Sequence, residues 1–278
     1  MALLDDRDRR FAFHHGARKI VSDFLKNIQV MMPLPDEKTQ SPFPSTRWTL
    51  IHRVQKGSES DAARAMEEIC RQYWYPIYAF ARRHGFPVAD AEDLTQTFFQ
   101  RLIKSETIRA ARQERGMLRS FMLSLLKRVI ANHTRDAGAA KRGGAGTTTI
   151  SLDDECAEER YRHEPADGSN PDAIFDRAWA QGVLDAAEKK LRDDFVKAGN
   201  LEGYHHLREF LPLGDNATPY AEVAKKLGIA EGTLRLQIHR MRKRYGKLIE
   251  EEIAQTVGSP GEVKAELEHL MAVIGSGG

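Results

Sequence analysis

Apolar residues recur at intervals of three and four along most of this chain, a pattern typical of helices that bury one face. The clearest case is the segment from Leu118 to Arg135. Its apolar positions are Leu118, Phe121, Met122, Leu125, Leu126, Val129 and Ile130. Helical spacing also dominates the segments before and after it, so the pattern predicts an all-α fold made of two small helical domains.

The aromatic-rich segment from Pro44 to Arg83 is predicted to be helical and to supply much of the first core. Its large side chains include Trp48, Tyr73, Trp74, Tyr78 and Phe80. Aromatic residues clustered at helical spacing most often pack against one another. We therefore interpret this cluster as a core and not as a cofactor site.

An acidic helix is predicted from Val88 to Ile103. Its apolar side carries Leu94, Phe98, Phe99, Leu102 and Ile103, and its polar side carries Asp93, Gln96, Thr97 and Gln100. The ordinary interpretation of such a helix is a solvated face. The alternative is a partner that offers Arg or Lys to these carboxylates and amides.

The segment from 219 to 248 has the spacing of a helix-turn-helix. Apolar residues pack a short first helix, Gly228 takes the turn, and apolar residues from Leu234 to Leu248 pack the second helix. Arg235, Leu236, His239, Arg240 and Lys243 point away from that packed stripe. Arg235 can pair with guanine and Leu236 with a thymine methyl, although Leu236 could instead pack on a neighbouring helix.

Breaks in composition divide the chain into five predicted parts. Residues 1–41 form an N-terminal extension with at most a short helix, and translation could begin at Met31 or Met32. Residues 42–137 form the first domain, 138–172 a flexible acidic linker, 173–257 the second domain, and 258–278 a C-terminal helical extension. Gly143, Gly144 and a later run of carboxylates give the linker its composition.

The positions of the charged residues along the chain say more about possible partners than the net charge does. The net charge is only +2 over 278 residues, which by itself favours no partner. The chain has two basic segments separated by an acidic one. The first lies between Arg115 and Arg142 and the second between Gly232 and Lys247. This arrangement indicates two contacts with a polyanion.

The sequence argues against metal chemistry and membrane insertion. Cys70 and Cys156 form no Cys-x-x-Cys pair, and we expect a core residue at Cys70 and a loop thiol at Cys156. No apolar run approaches membrane-spanning length and no signal peptide is apparent, so the expected compartment is the cytoplasm. No cofactor, metal or catalytic residue is expected.

Three segments together resemble a known family. Asp90-Ala91-Glu92-Asp93-Leu94-Thr95-Gln96, followed by Phe98 and Phe99, resembles the polymerase-binding segment of region 2 in extracytoplasmic-function (ECF) sigma factors. The basic amphipathic helix that follows is similar to the part of region 2 that reads the −10 promoter element. The segment 219–248 is similar to region 4, which reads the −35 element. The resemblance covers roughly Pro44 to Lys247.

The resemblance implies that this chain binds core RNA polymerase, directs it to promoters and helps to open the DNA. The implied contacts with polymerase are Asp90, Asp93, Gln96 and Gln100. Those with the −10 element are Arg119, Lys127, Arg128, Asn132 and Arg135. Those with the −35 element are Thr233, Arg235, Leu236, His239, Arg240 and Lys243. The expected partners are core polymerase, duplex and melted promoter DNA, and an anti-sigma factor as a further candidate.

Two other functions compete with this one. A helix-turn-helix regulator that never binds polymerase would account for 219–248 and leave the acidic helix unexplained. A helical metal-dependent hydrolase is the more remote alternative, because the adjacent pairs His14-His15 and His205-His206 lack the His-Glu-x-x-His spacing.

Overall fold

The computed structural model describes residues 48–104, 117–139, 154–164, 170–211, 218–257 and 259–276. Within these ranges the ordered elements are all helices, which confirms the all-α prediction there. They are α1 (Trp48–Lys56), α2 (Glu59–Arg83), α3 (Val88–Lys104), α4 (Leu118–Ala139), α5 (Asp154–Arg162), α6 (Pro171–Lys197), α7 (Leu201–Leu207) with the 3₁₀ turn Arg208–Phe210, α8 (Tyr220–Leu227), α9 (Glu231–Ala254) and α10 (Pro260–Ser276). The N-terminal extension and much of the predicted linker lie outside the described residues.

The chain divides into two compact units. The first unit comprises residues 44–182 and 254–262; the second contains residues 183–253 and 263–278. The division falls within α6, after Gly182, whereas the sequence pattern places the domain boundary at residue 173. None of the described helices is long and apolar enough to span a membrane.

The first unit is built on α2, a helix with clear start and stop signals. The Ser58 hydroxyl accepts a hydrogen bond from the Asp61 backbone N–H at 3.2 Å and so caps the first turn. Gly85 follows the last turn with a φ of 101°, a conformation that glycine adopts without strain. Between these ends, α2 packs on α1, α3 and α5, while α3 packs on α4.

The core of the first unit is aromatic, as the sequence predicts. Fully buried side chains include Ile51, Ile69, Tyr73, Tyr78, Leu94, Phe98, Phe99, Met122, Phe175 and Trp179. Trp74 stacks on Phe99 with ring centroids 5.6 Å apart, and Phe80 meets Phe175 edge-on at 6.5 Å. Cys70 is buried, as expected, but Cys156 lies on α5 and not in a loop.

Helix α5 lies in the segment that the sequence pattern predicts to be a flexible linker. The Glu158 carboxylate accepts hydrogen bonds from the Tyr78 hydroxyl at 2.6 Å and from Arg82 Nε at 2.9 Å. The Tyr75 hydroxyl donates to Glu164 at 2.6 Å, and the Arg160 guanidinium lies 3.7 Å from the centre of the Tyr75 ring. The prediction of flexibility is therefore wrong for residues 154–164, because aromatic and cationic partners on α2 hold these acids in place.

The core of the second unit contains apolar side chains from α6, α7, α8, α9 and α10. Buried side chains include Leu184, Leu191, Leu207, Phe210, Val223, Leu234, Ile238, Met241, Tyr245, Leu248, Ile253 and Leu270. Polar contacts fix the same core: the Tyr204 hydroxyl donates to Glu188 at 2.6 Å, and Arg242 Nε donates to the Phe210 carbonyl at 2.7 Å. Helix α10 buries Val263, Leu270 and Ile274 and so contributes to this core.

The contact between α5 and α2 generates a prediction about stability. Burial raises the pKa of the Glu158 carboxyl, but the hydrogen bonds from Arg82 and Tyr78 outweigh it and hold that pKa below its ordinary value of 4.5. Glu158→Gln removes the charge that these donors favour, so the free energy of unfolding should fall by about 1 to 2 kcal/mol near neutral pH. Denaturant unfolding measures this loss.

The sign of the pH dependence follows from the lowered pKa. The stabilisation by Glu158 is complete above the unfolded-state pKa near 4.5 and is lost as the pH falls through the folded-state pKa. The difference between wild type and Glu158→Gln should therefore shrink on acidification. Glu67→Gln is the matched control, since its pair with Arg71 at 2.6 Å is exposed and should contribute no measurable stability. Equal losses in both variants would contradict the account.

Candidate nucleic-acid interface and acidic helix face

The helix-turn-helix prediction corresponds to α8, a tight turn and α9. Helix α8 ends at Gly228, which adopts the left-handed conformation with φ 64° and ψ 29°. Its N–H donates to the Lys225 carbonyl at 3.2 Å, and the Ile229 N–H donates to the Ala224 carbonyl at 3.0 Å. These bonds satisfy the last carbonyls of α8 and turn the chain towards α9.

Burial of one face of each helix determines which side chains reach solvent. Val223 and Ala224 of α8 are buried, as are Leu234, Ile238 and Met241 of α9. The six residues predicted to read the −35 element are all exposed: Thr233, Arg235, Leu236, His239, Arg240 and Lys243. Leu236 is 48% exposed, which removes the alternative that it packs against a neighbouring helix.

Arg235 is the best positioned cation on this exposed face. Its Nε and Nη2 atoms donate to Glu231 Oε1 at 3.0 and 2.6 Å. Its guanidinium carbon also lies 4.8 Å from the centre of the Tyr220 ring, which belongs to α8. The contact with Tyr220 was not foreseen; the spacing of four between Glu231 and Arg235 could have indicated the ion pair.

On α3, the exposed acids are Asp90 and Asp93. Neither carboxylate has a hydrogen bond or ion pair with another of the residues that the structure describes. Gln100 is half-buried and already engaged. Asp90 lies in the first turn, where the helix dipole favours a negative charge.

Gln96 requires a correction. It is only 7% exposed, and the adjacent Thr95 is fully buried, with its hydroxyl donating to the Ala91 carbonyl at 2.7 Å. The buried arc of α3 is therefore wider than the apolar pattern predicts and encloses two polar side chains. Gln96 is not a solvent-facing contact residue.

Arg119, predicted to contact the −10 element, also requires a correction. It is 9% exposed; its Nη1 donates to Asp176 Oδ1 at 2.8 Å, and its guanidinium carbon lies 5.1 Å from the Trp179 ring. Both partners come from α6, more than 50 residues along the chain. The residue is a packed and paired part of the first unit, so we remove it from the predicted DNA contacts.

The remaining predicted −10 residues lie at the surface of α4. Lys127 is exposed and its Nζ lies 2.6 Å from an oxygen of Asp172. Both side chains of this ion pair are about half exposed. Arg128 and Arg135 are exposed, while Asn132 is half-buried and accepts a hydrogen bond from Arg135. Because 128, 132 and 135 are spaced by four and three, these three side chains share one helix face.

No group of His, Cys, Asp or Glu side chains among the described residues is arranged to hold a metal ion. The described polar clusters are instead ion pairs within one helix or between packed helices. The chemistry that the exposed faces offer is charge and hydrogen bonding: carboxylates on α3, and guanidinium, ammonium and amide groups on α4 and α9.

Comparison with known proteins finds a distant relative among the curated proteins. The chain is 25% identical over 193 residues to the ECF RNA polymerase sigma factor SigE of Mycolicibacterium smegmatis. The match covers 69% of this chain and 65% of that protein, so the chain spans less than two thirds of the length of this relative. No protein-family model and no solved structure matches the chain. The chain is thus distantly similar to a sigma factor of the ECF type.

Proposed function

We propose that this protein is an alternative sigma factor of the ECF type. It binds core RNA polymerase, directs it to specific promoters and helps to open the duplex at the start site. The protein itself makes or breaks no bond in this scheme, because polymerase supplies the catalysis. An anti-sigma factor that covers one of the same faces is a further candidate partner.

The observation that carries the proposal is the presence of two different exposed faces on one chain. Helix α9 offers cations on the exposed side of a helix-turn-helix, and α3 offers Asp90 and Asp93 with no described partner. In a regulator that acts only on DNA, the second face would be an ordinary solvated surface. A sigma factor needs both, since it must bind an enzyme and a promoter at the same time.

The polymerase contact is assigned to Asp90 and Asp93. Both are on the exposed side of α3, whose other side is fixed by the buried Leu94, Phe98 and Phe99. A carboxylate on a rigid helix suits a partner that presents Arg or Lys, because charge-assisted hydrogen bonds are short and directional. Gln100 lies seven residues, or about two turns, after Asp93 and adds a half-buried amide to the proposed contact.

The promoter contacts are assigned to two helices. Arg128, Asn132 and Arg135 of α4 serve the −10 element, with exposed Lys127 as a phosphate contact. On α9, the N-terminal half with Thr233, Arg235 and Leu236 enters the major groove, and His239, Arg240 and Lys243 follow along the helix. In helix-turn-helix proteins the N-terminal residues of the second helix contact base edges, and more distant cations bind phosphate.

Charge reversal tests the polymerase contact. Asp90→Lys combined with Asp93→Lys should weaken association with core RNA polymerase by about tenfold or more, because attraction to a cationic partner becomes repulsion. Fluorescence anisotropy of the labelled chain, titrated with core polymerase, measures the affinity. The matched control is Glu59→Lys, which reverses an exposed acid in the first turn of α2.

The control variant should bind like the wild type, and circular dichroism should show the same helix content in all three proteins. Unchanged affinity of the Asp90→Lys, Asp93→Lys variant would remove α3 from the interface. If the wild-type chain fails to bind core polymerase, the sigma-factor proposal fails and a helix-turn-helix regulator becomes the better interpretation.

The salt dependence of promoter binding tests the phosphate contacts. Replacing Arg240 and Lys243 with Ala should weaken binding to duplex DNA of any sequence to a similar degree. The slope of log affinity against log salt should fall by roughly 2, since each lost phosphate contact contributes about 1. Lys264→Ala, an exposed cation on α10, should leave the slope unchanged. A slope that is the same in the double variant and the wild type would exclude both residues from phosphate binding.

A further inference from the structure

The strongest local arrangement that the proposed function leaves unexplained is the one around Arg235. Glu231 holds two nitrogens of this side chain, and Tyr220 lies against its guanidinium. The two contacts come from different helices of the helix-turn-helix. Tyr220 is itself packed on Phe210, with ring centroids 5.0 Å apart, so the aromatic surface under Arg235 is anchored in the second unit.

These contacts have little to do with stability. An exposed Glu–Arg pair spaced by four residues contributes only slightly to folding because solvent screens it. The side chains of Arg235 and Glu231 are 60% and 43% exposed. What two simultaneous contacts do accomplish is to restrict the rotamers of a long, flexible side chain before a ligand arrives, which lowers the entropy lost on binding.

The hydrogen-bonding pattern leaves one edge of the guanidinium available. The group carries five N–H donors, and Glu231 engages one on Nε and one on Nη2. The edge formed by Nη1 and the second hydrogen of Nη2 is not used by Glu231. That edge has the geometry to donate two parallel hydrogen bonds to O6 and N7 of guanine in the major groove.

From this geometry we infer that Tyr220 and Glu231 are positioning residues for Arg235, and that Arg235 reads one guanine in the target duplex. This inference rests on the proposed DNA-binding function and adds to it the residue that sets specificity at one base pair. Glu231 orients the guanidinium within the helix, and Tyr220 restricts its movement from the preceding helix.

The experiment uses the full chain with core RNA polymerase and a double-stranded DNA library randomised over about one helical turn, roughly 10 base pairs. The preferred duplex is then changed at each base pair in turn, and affinity is measured for every change. Wild type should prefer guanine at one position by about tenfold or more, the discrimination of a good bidentate pair. Arg235→Ala should abolish that preference.

The positioning variants distinguish specificity from general binding. Glu231→Gln and Tyr220→Leu should reduce the guanine preference several-fold at this one base pair, while preferences at the other positions remain. Tyr220→Phe keeps the aromatic face and should retain the preference. The matched control is Glu222→Gln on α8, whose carboxylate forms an equally exposed pair with Lys226 at 3.0 Å but does not contact Arg235.

Each outcome decides something. Full guanine preference in Glu231→Gln and Tyr220→Leu would overturn the positioning role, as would an equal loss at every base pair. If Arg235→Ala has the same base preferences as wild type on the selected duplex, the inference is overturned. The proposed function is unaffected by that result. If the wild type selects no sequence at all, the proposed function itself fails.

Discussion

Burial of the apolar arc on each functional helix is the constraint on which the rest of the structure depends. Phe98 and Phe99 fix the rotation of α3, and Leu234, Ile238 and Met241 fix that of α9. Once these arcs are buried, the side chains on the opposite side of each helix must face solvent. The same packing that stabilises each unit therefore determines which charges face solvent.

The contrast between Arg119 and Arg235 shows how packing assigns different roles to similar residues. Both guanidinium groups have a carboxylate partner and an aromatic ring. The Arg119 side chain is 10% exposed and joins α4 to α6, whereas the Arg235 side chain is 60% exposed. Removing the first would break its ion pair with Asp176. Removing the second would leave the core intact and change only what the surface can recognise.

Much of the fold could be predicted from the sequence because the spacing of apolar residues within each segment indicates a helix. The apolar spacing around Leu118 to Ile130 and the Gly228 turn both predict helices that the structure contains. Features that depend on residues far apart in the chain could not be predicted. The partners of Glu158 lie 76 to 80 residues earlier, and Asp176 lies 57 residues after Arg119. Composition therefore indicated a linker where the structure has a packed helix, and the family resemblance indicated a DNA contact at Arg119, which is buried.

The most direct test of the sigma-factor account is run-off transcription with purified core RNA polymerase on genomic fragments. The account predicts discrete transcripts that start at defined positions only when this protein is added. Absence of such transcripts, with the protein still binding duplex DNA on its own, would contradict it.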